Sequence, residues 1–96
     1  MDVLARVELH SASYADYESL HIYMQQRGYA RTIKGSDKKM YQLPTATYVG
    51  GFSSLALALQ SAVAAANAAG KPSAIIVADW NSARWQGLSI ANAARA

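Results

Sequence analysis

Between Val3 and His10 the chain alternates strictly, with Val3, Ala5, Val7 and Leu9 on one side and Leu4, Arg6, Glu8 and His10 on the other. A period of two is the pattern of a strand with one face buried, so these residues require both a sheet and a layer to cover its odd-numbered face. Two downstream segments suit that layer. Ser11-Ala12-Ser13 offers cap residues, and Asp16 follows Ser13 by three positions, so a helix is predicted from Tyr14. Its apolar stripe is Tyr17, Leu20 and Met24, and Gly28 supplies the left-handed residue that ends it. The second helix follows Gly50-Gly51. Ser53 caps it, Phe52 staples onto Leu57, and alanine recurs from Ala56 to Ala69 before Gly70 closes it. Its inner stripe is expected at Leu55, Leu59, Val63 and Ala66.

Between the helices, Tyr29 to Lys34 reads as a strand, Gly35-Ser36-Asp37-Lys38 as a turn and Lys39 to Leu43 as the returning strand. This is a hairpin with a basic tip. Pro44 has no amide hydrogen for a ladder, so a bulge, a kink or an edge is required before β-favouring Thr45 to Val49. Beyond the second helix, the apolar run Ala74 to Val77 suits a buried strand. Asn81-Ser82-Ala83 is a turn after which Arg84 to Leu88 can return as a short fifth strand, bringing Trp80 near Trp85. The order is that of an α+β, ferredoxin-like βαββαβ sandwich, with two helices on one face of an antiparallel sheet and the other face open. A single domain is expected over residues 1–88, with 89–96 a loose tail.

The 96 residues contain no cysteine, which excludes disulfides, thiolate metal sites and cysteine nucleophiles. No apolar run reaches the ~18 residues of a membrane span, and the first residues lack the pattern of a secretory signal, so a cytoplasmic address without membrane contact is expected. No G-x-S-x-G elbow, phosphate loop or G-x-G-x-x-G occurs, and nothing calls for a cofactor. The formal charge of +3 is unevenly spread: Arg27, Arg31, Lys34, Lys38 and Lys39 face a single acid, Asp37, over residues 27–39.

That basic stretch interleaves with Tyr29 and Tyr41, a pattern able to hold phosphates and stack unpaired bases. The plainer reading is a solvated tip whose lysines prevent edge pairing. A central-strand aromatic signature of base readers is missing, since the first strand offers Leu4, Arg6, Glu8 and His10. For ribonuclease chemistry, His10 is the candidate base and His21 a lesser one. Glu8 and Asp79 are the acids a metal-assisted route would use, with ordinary ion pairing the simpler alternative and no metal site implied. Trp80, Arg84 and Trp85 form either a cap on the core or an anchor for a protein partner.

Taken together, Ala5-Arg6-Val7-Glu8-Leu9-His10, Asp16-Tyr17-Glu18-Ser19-Leu20-His21, Arg27-Gly28-Tyr29-Ala30-Arg31-Thr32-Ile33 and Tyr41-Gln42-Leu43-Pro44-Thr45-Ala46 resemble small bacterial and phage proteins of the GhoS type. The resemblance spans most of residues 3–88 and implies a ferredoxin-like fold and a type V antitoxin that cleaves its toxin's messenger RNA. No catalytic residue of that family maps onto a position here. Three expectations follow: a domain that binds single-stranded RNA and, as an endoribonuclease, cleaves it; a non-enzymatic phage or host inhibitor that occupies a host protein complex; or a homodimer joined through the open sheet face. Whether the chain is an enzyme stays open.

Overall fold

The alternation of the first residues becomes β1 (Asp2–Leu9), in which Val3, Ala5, Val7 and Leu9 are at most 5% exposed while Arg6 and Glu8 face solvent. The structure is a computed structural model and describes residues 1–91. After β1 come α1 (Tyr14–Gln26), β2 (Tyr29–Ala30), β3 (Thr32–Lys34), β4 (Met40–Gln42), β5 (Thr47–Gly51), α2 (Leu55–Ala69) and β6 (Ser73–Asp79). The described residues thus form an α+β fold in which every strand pairing is antiparallel. Four strands make one sheet in the order β2-β5-β1-β6, and β3 and β4 make a separate ribbon. No helix of the described residues is long and apolar enough to cross a membrane.

α1 begins as its composition dictates. The Ser13 hydroxyl accepts from the Asp16 amide at 3.2 Å, and the Asp16 carboxylate accepts from the Ser13 amide at 2.8 Å, a reciprocal cap that satisfies two otherwise unpaired donors. Leu20 and Met24 are fully buried, and the Tyr17 hydroxyl accepts from the Leu9 amide at 2.9 Å, tying the helix to the end of β1.

α2 departs from expectation in two ways. Its cap is Ser54, whose hydroxyl accepts from the Leu57 amide, and Phe52 packs on Tyr29 at 4.8 Å instead of stapling the helix. The larger correction concerns its faces. Ala58, Ala62, Ala65 and Ala66 are the buried residues, whereas Leu55, Leu57, Leu59 and Val63 are 37–47% exposed. The helix lies so close to α1 and the sheet that only methyl side chains fit beneath it, and size, not hydrophobicity alone, selects the inward face.

The hairpin also differs from a simple pair of sheet strands. Tyr29 and Ala30 pair with Gly50 and Val49, but Thr32 pairs with Gln42, so the returning strand carries five more residues than the outgoing one between the two ladders. Leu43-Pro44-Thr45-Ala46 fill that bulge, with Ala46 in the left-handed region at φ 68°. The ladder break that Pro44 requires is thereby met, and the ribbon β3-β4 leaves the main sheet. At the sheet end of the hairpin, an added Cβ at Gly50 would lie 2.5 Å from the Gly28 carbonyl oxygen, so only glycine permits that approach.

Two further expectations are corrected. β6 is an edge strand, not a buried one, and Ile76 within it is 66% exposed. Residues 84–88 form no strand; the chain returns later, where Ile90 bridges to Tyr41 of β4. Of the tail expected to be loose, Ser89 and Ala91 hydrogen-bond along β4, and residues 92–96 lie outside the described residues.

Candidate nucleic-acid interface

The tip of the β3-β4 ribbon is built around Asp37. Its carboxylate accepts from the Lys39 amide at 3.0 Å and from the Tyr41 hydroxyl at 2.5 Å, while Gly35 and Lys39 close the turn through a 2.8 Å backbone bond. The Tyr41 hydrogen bond, helped by the Lys39 amide, holds the Asp37 carboxyl below its usual range, and the same carboxylate pushes the Tyr41 phenol up. The one acid of the basic stretch is therefore spent on organising the turn. Lys34, Lys38 and Lys39 stay exposed around it. A Cβ on Gly35 would come within 2.7 Å of the Asp37 carboxylate and 2.9 Å of the Tyr41 ring, so a larger residue would displace the side chains that organise the turn.

The C-terminal segment comes to this tip from the opposite side of the sheet. The Trp80 amide donates to Asp2 at the end of β1, after which residues 81–88 cross to the ribbon. There the Trp85 and Tyr41 rings meet at 5.4 Å, tilted by 54°. Bonds from Gln42 to Ser89 and from Ala91 to Met40 fasten the segment down. Between ribbon and segment lies a cleft of about 530 Å³, lined among others by Lys34, Asp37, Tyr41, Trp80, Arg84 and Trp85. Trp80 and Trp85 are half-buried in its wall, and the Trp80 indole nitrogen has no hydrogen-bond partner among the described residues.

Two groups of residues that the sequence treats separately are thus brought together, the basic hairpin and the Trp80/Arg84/Trp85 cluster. Their separation in sequence hides this; the excess of aromatic and basic residues in both is the only advance signal. Other candidates are placed elsewhere. Tyr29 is a core residue, 2% exposed, and its hydroxyl donates to the Ala58 carbonyl at 2.7 Å; burial pushes the phenol up to about 12 and keeps it from stacking any base. Arg27 caps the C-terminus of α1, and Arg31 is half-buried at the bend between β2 and β3. His10 follows the last residue of β1, whereas the cleft adjoins its first, about 26 Å away along an eight-residue strand. Glu8 and Asp79 are also apart: Glu8 stands opposite Ala74, five residues from Asp79 along β6.

His21 takes a role that neither its type nor its spacing announces. Its Nδ1 is 2.6 Å from the hydroxyl of Tyr48, a side chain with no exposed surface, and its Nε2 faces Glu18 at 3.6 Å. Burial, and then the charge of Arg31, lower the His21 pKa, so the ring is neutral near pH 7 and the Glu18 contact is no ion pair. Burial likewise raises the Tyr48 pKa, so the phenol keeps its proton, and the direction of its bond with Nδ1 is set by the imidazole tautomer. Because the folded value lies below the unfolded one of about 6.5, the unfolded chain takes up the proton first, and stability falls as pH drops through 6.5 toward the lowered value. The thermal midpoint is expected to fall between pH 7 and pH 5, and His21→Gln to flatten that part of the profile, as followed by circular dichroism.

Compared with known proteins, the chain matches no family model, no curated protein and no solved structure.

Proposed function

We propose that this domain binds single-stranded RNA in the cleft between the β3-β4 ribbon and the C-terminal segment. The observation that carries the reading is the meeting of Tyr41, Trp80 and Trp85 with Lys34 and Arg84 around one open cavity. Aromatic rings stack bases with little regard to sequence, and flanking cations hold the backbone. The strand order β2-β5-β1-β6 and the two helical crossovers support a ferredoxin-like sandwich with the ribbon as an insertion, the architecture that the GhoS-like resemblance implies. On that reading the domain is an antitoxin, and RNA cleavage is its further expected property.

Both tryptophans of the chain line the cleft, so intrinsic fluorescence reports on it directly. Adding labelled-free single-stranded RNA is expected to quench that emission. The binding constant should fall with salt at a slope of roughly −0.7 per neutralised phosphate, or about −2 for three contacts. Emission unchanged by RNA at low salt would sink the proposal. Cleavage is read on the same samples with and without magnesium; products that persist in His10→Ala remove His10 as the base.

A further inference from the structure

The two edges of the main sheet are unequal. β2 is two residues long, a length that protects an edge, whereas β6 runs for seven residues with no lysine, proline or bulge. Nothing among the described residues pairs with its outer side. The bonds from Trp80 to Asp2 and from His10 to Pro72 place the even-numbered residues of β6 in the hydrogen-bonded pairs with β1. The N–H and C=O groups of Ser73, Ile75, Val77 and Asp79 therefore point outward.

α2 lies over β6 and β1, with α1 on its other side. With right-handed crossovers, the stripe Leu55, Leu59 and Val63 turns away from α1, toward the β6 side. α2 contains no charged residue, and Asp79 is the only one in β6. A flank that is apolar, uncharged and edged by free backbone groups is complementary to itself.

We infer that this flank is a homodimer interface, in which β6 pairs antiparallel with β6 of a second copy about a two-fold axis at Ile76 and the α2 stripes meet above. The occupant is a second copy because the strand is self-complementary in this register. Ile75 pairs with Val77 of the second copy, Ser73 with its Asp79, and the two Ile76 side chains stand opposite each other on the open face. No like charges meet. A seven-residue strand spans about 23 Å and the helix above it about 22 Å, and two layers about 20 Å deep give a footprint of roughly 900 Å² over both copies. That is close to the ~1,000 Å² expected of a specific interface before side-chain relief is counted. This surface is distinct from the RNA cleft and does not rest on that assignment.

The test is the solution mass by light scattering, for wild type, Ile76→Lys and Leu59→Glu/Val63→Glu, with circular dichroism to verify folding. Wild type is expected at twice the 10.3 kDa of the chain and both folded variants at the monomer mass. Since the chain has no cysteine, Ile76→Cys supplies a unique thiol. It is expected to cross-link to a covalent dimer on mild oxidation, because opposed residues of a non-hydrogen-bonded pair lie within disulfide reach. Ala30→Cys on the β2 edge should not. A monomeric wild type, a folded Ile76→Lys that remains dimeric, or equal cross-linking by the two cysteine variants overturns the inference.

Discussion

Replacing Ala62 by leucine is expected to destabilise the protein by about 3 kcal/mol, at the upper end of the range for overpacking a close-packed core. Ala62 has no exposed surface and belongs to the cluster with Leu20, Met24 and Tyr48, so three extra carbons would have to displace α2 from α1 or from the sheet. The matching deletion should be nearly silent: Leu59→Ala removes a side chain already 40% exposed and is expected to change the stability of the monomer by less than about 1 kcal/mol. Urea denaturation of both variants checks the pair. A large loss from Leu59→Ala beside a tolerated Ala62→Leu would mean that the helix is turned the other way. On the dimer inference, association would add to apparent stability, so the comparison belongs at a concentration where the mass is monomeric.

On the RNA reading, Trp85→Ala is expected to weaken binding about tenfold or more, since one base stacked on an aromatic ring is worth about 1–3 kcal/mol. The residue also packs on Tyr41, so Trp85→Phe, which retains a ring, should recover most of the loss. Lys34→Ala/Arg84→Ala acts differently, lowering the magnitude of the salt slope by roughly 1.4 for two phosphate contacts while leaving the high-salt affinity little changed. Titrations at several salt concentrations separate the two effects. An equal loss for Trp85→Ala and Trp85→Phe, or an unchanged slope after charge removal, would place RNA somewhere other than the cleft.

Much of the scaffold can be read from local rules. The alternation of β1, the Ser13/Asp16 cap and the glycine ends of the helices each depend on a few neighbouring residues, and each is found in place. Pro44 likewise announces a break in its strand, though not the size of the bulge that provides it. The inward face of α2 is illegible in this way, because the distance between helix and sheet is set by residues far away in sequence. Ranking side chains by hydrophobicity then selects leucine where the space admits only alanine. The edge position of β6 is hidden for a related reason: an apolar run suits both a buried strand and an edge awaiting a partner. As for the cleft, its two walls are about forty residues apart, and only the path of residues 81–88 across to the ribbon joins them.

The place of β1 at the centre of the sheet also sets the order in which the protein can be assembled. Val3 finds one neighbour at Gly50 and the other at Asp79, so both ladders close long loops, while α1 and the β3-β4 ribbon need only nearby residues. Loop closure must precede such distant contacts, which slows them relative to local ones. On an elongating chain the first of these six strands to emerge is thus the last of them to be enclosed. Until β6 arrives, Val3, Ala5, Val7 and Leu9 stand beside an open backbone edge, and synthesis at the pace of translation, not refolding from denaturant, is the setting in which that exposure is longest.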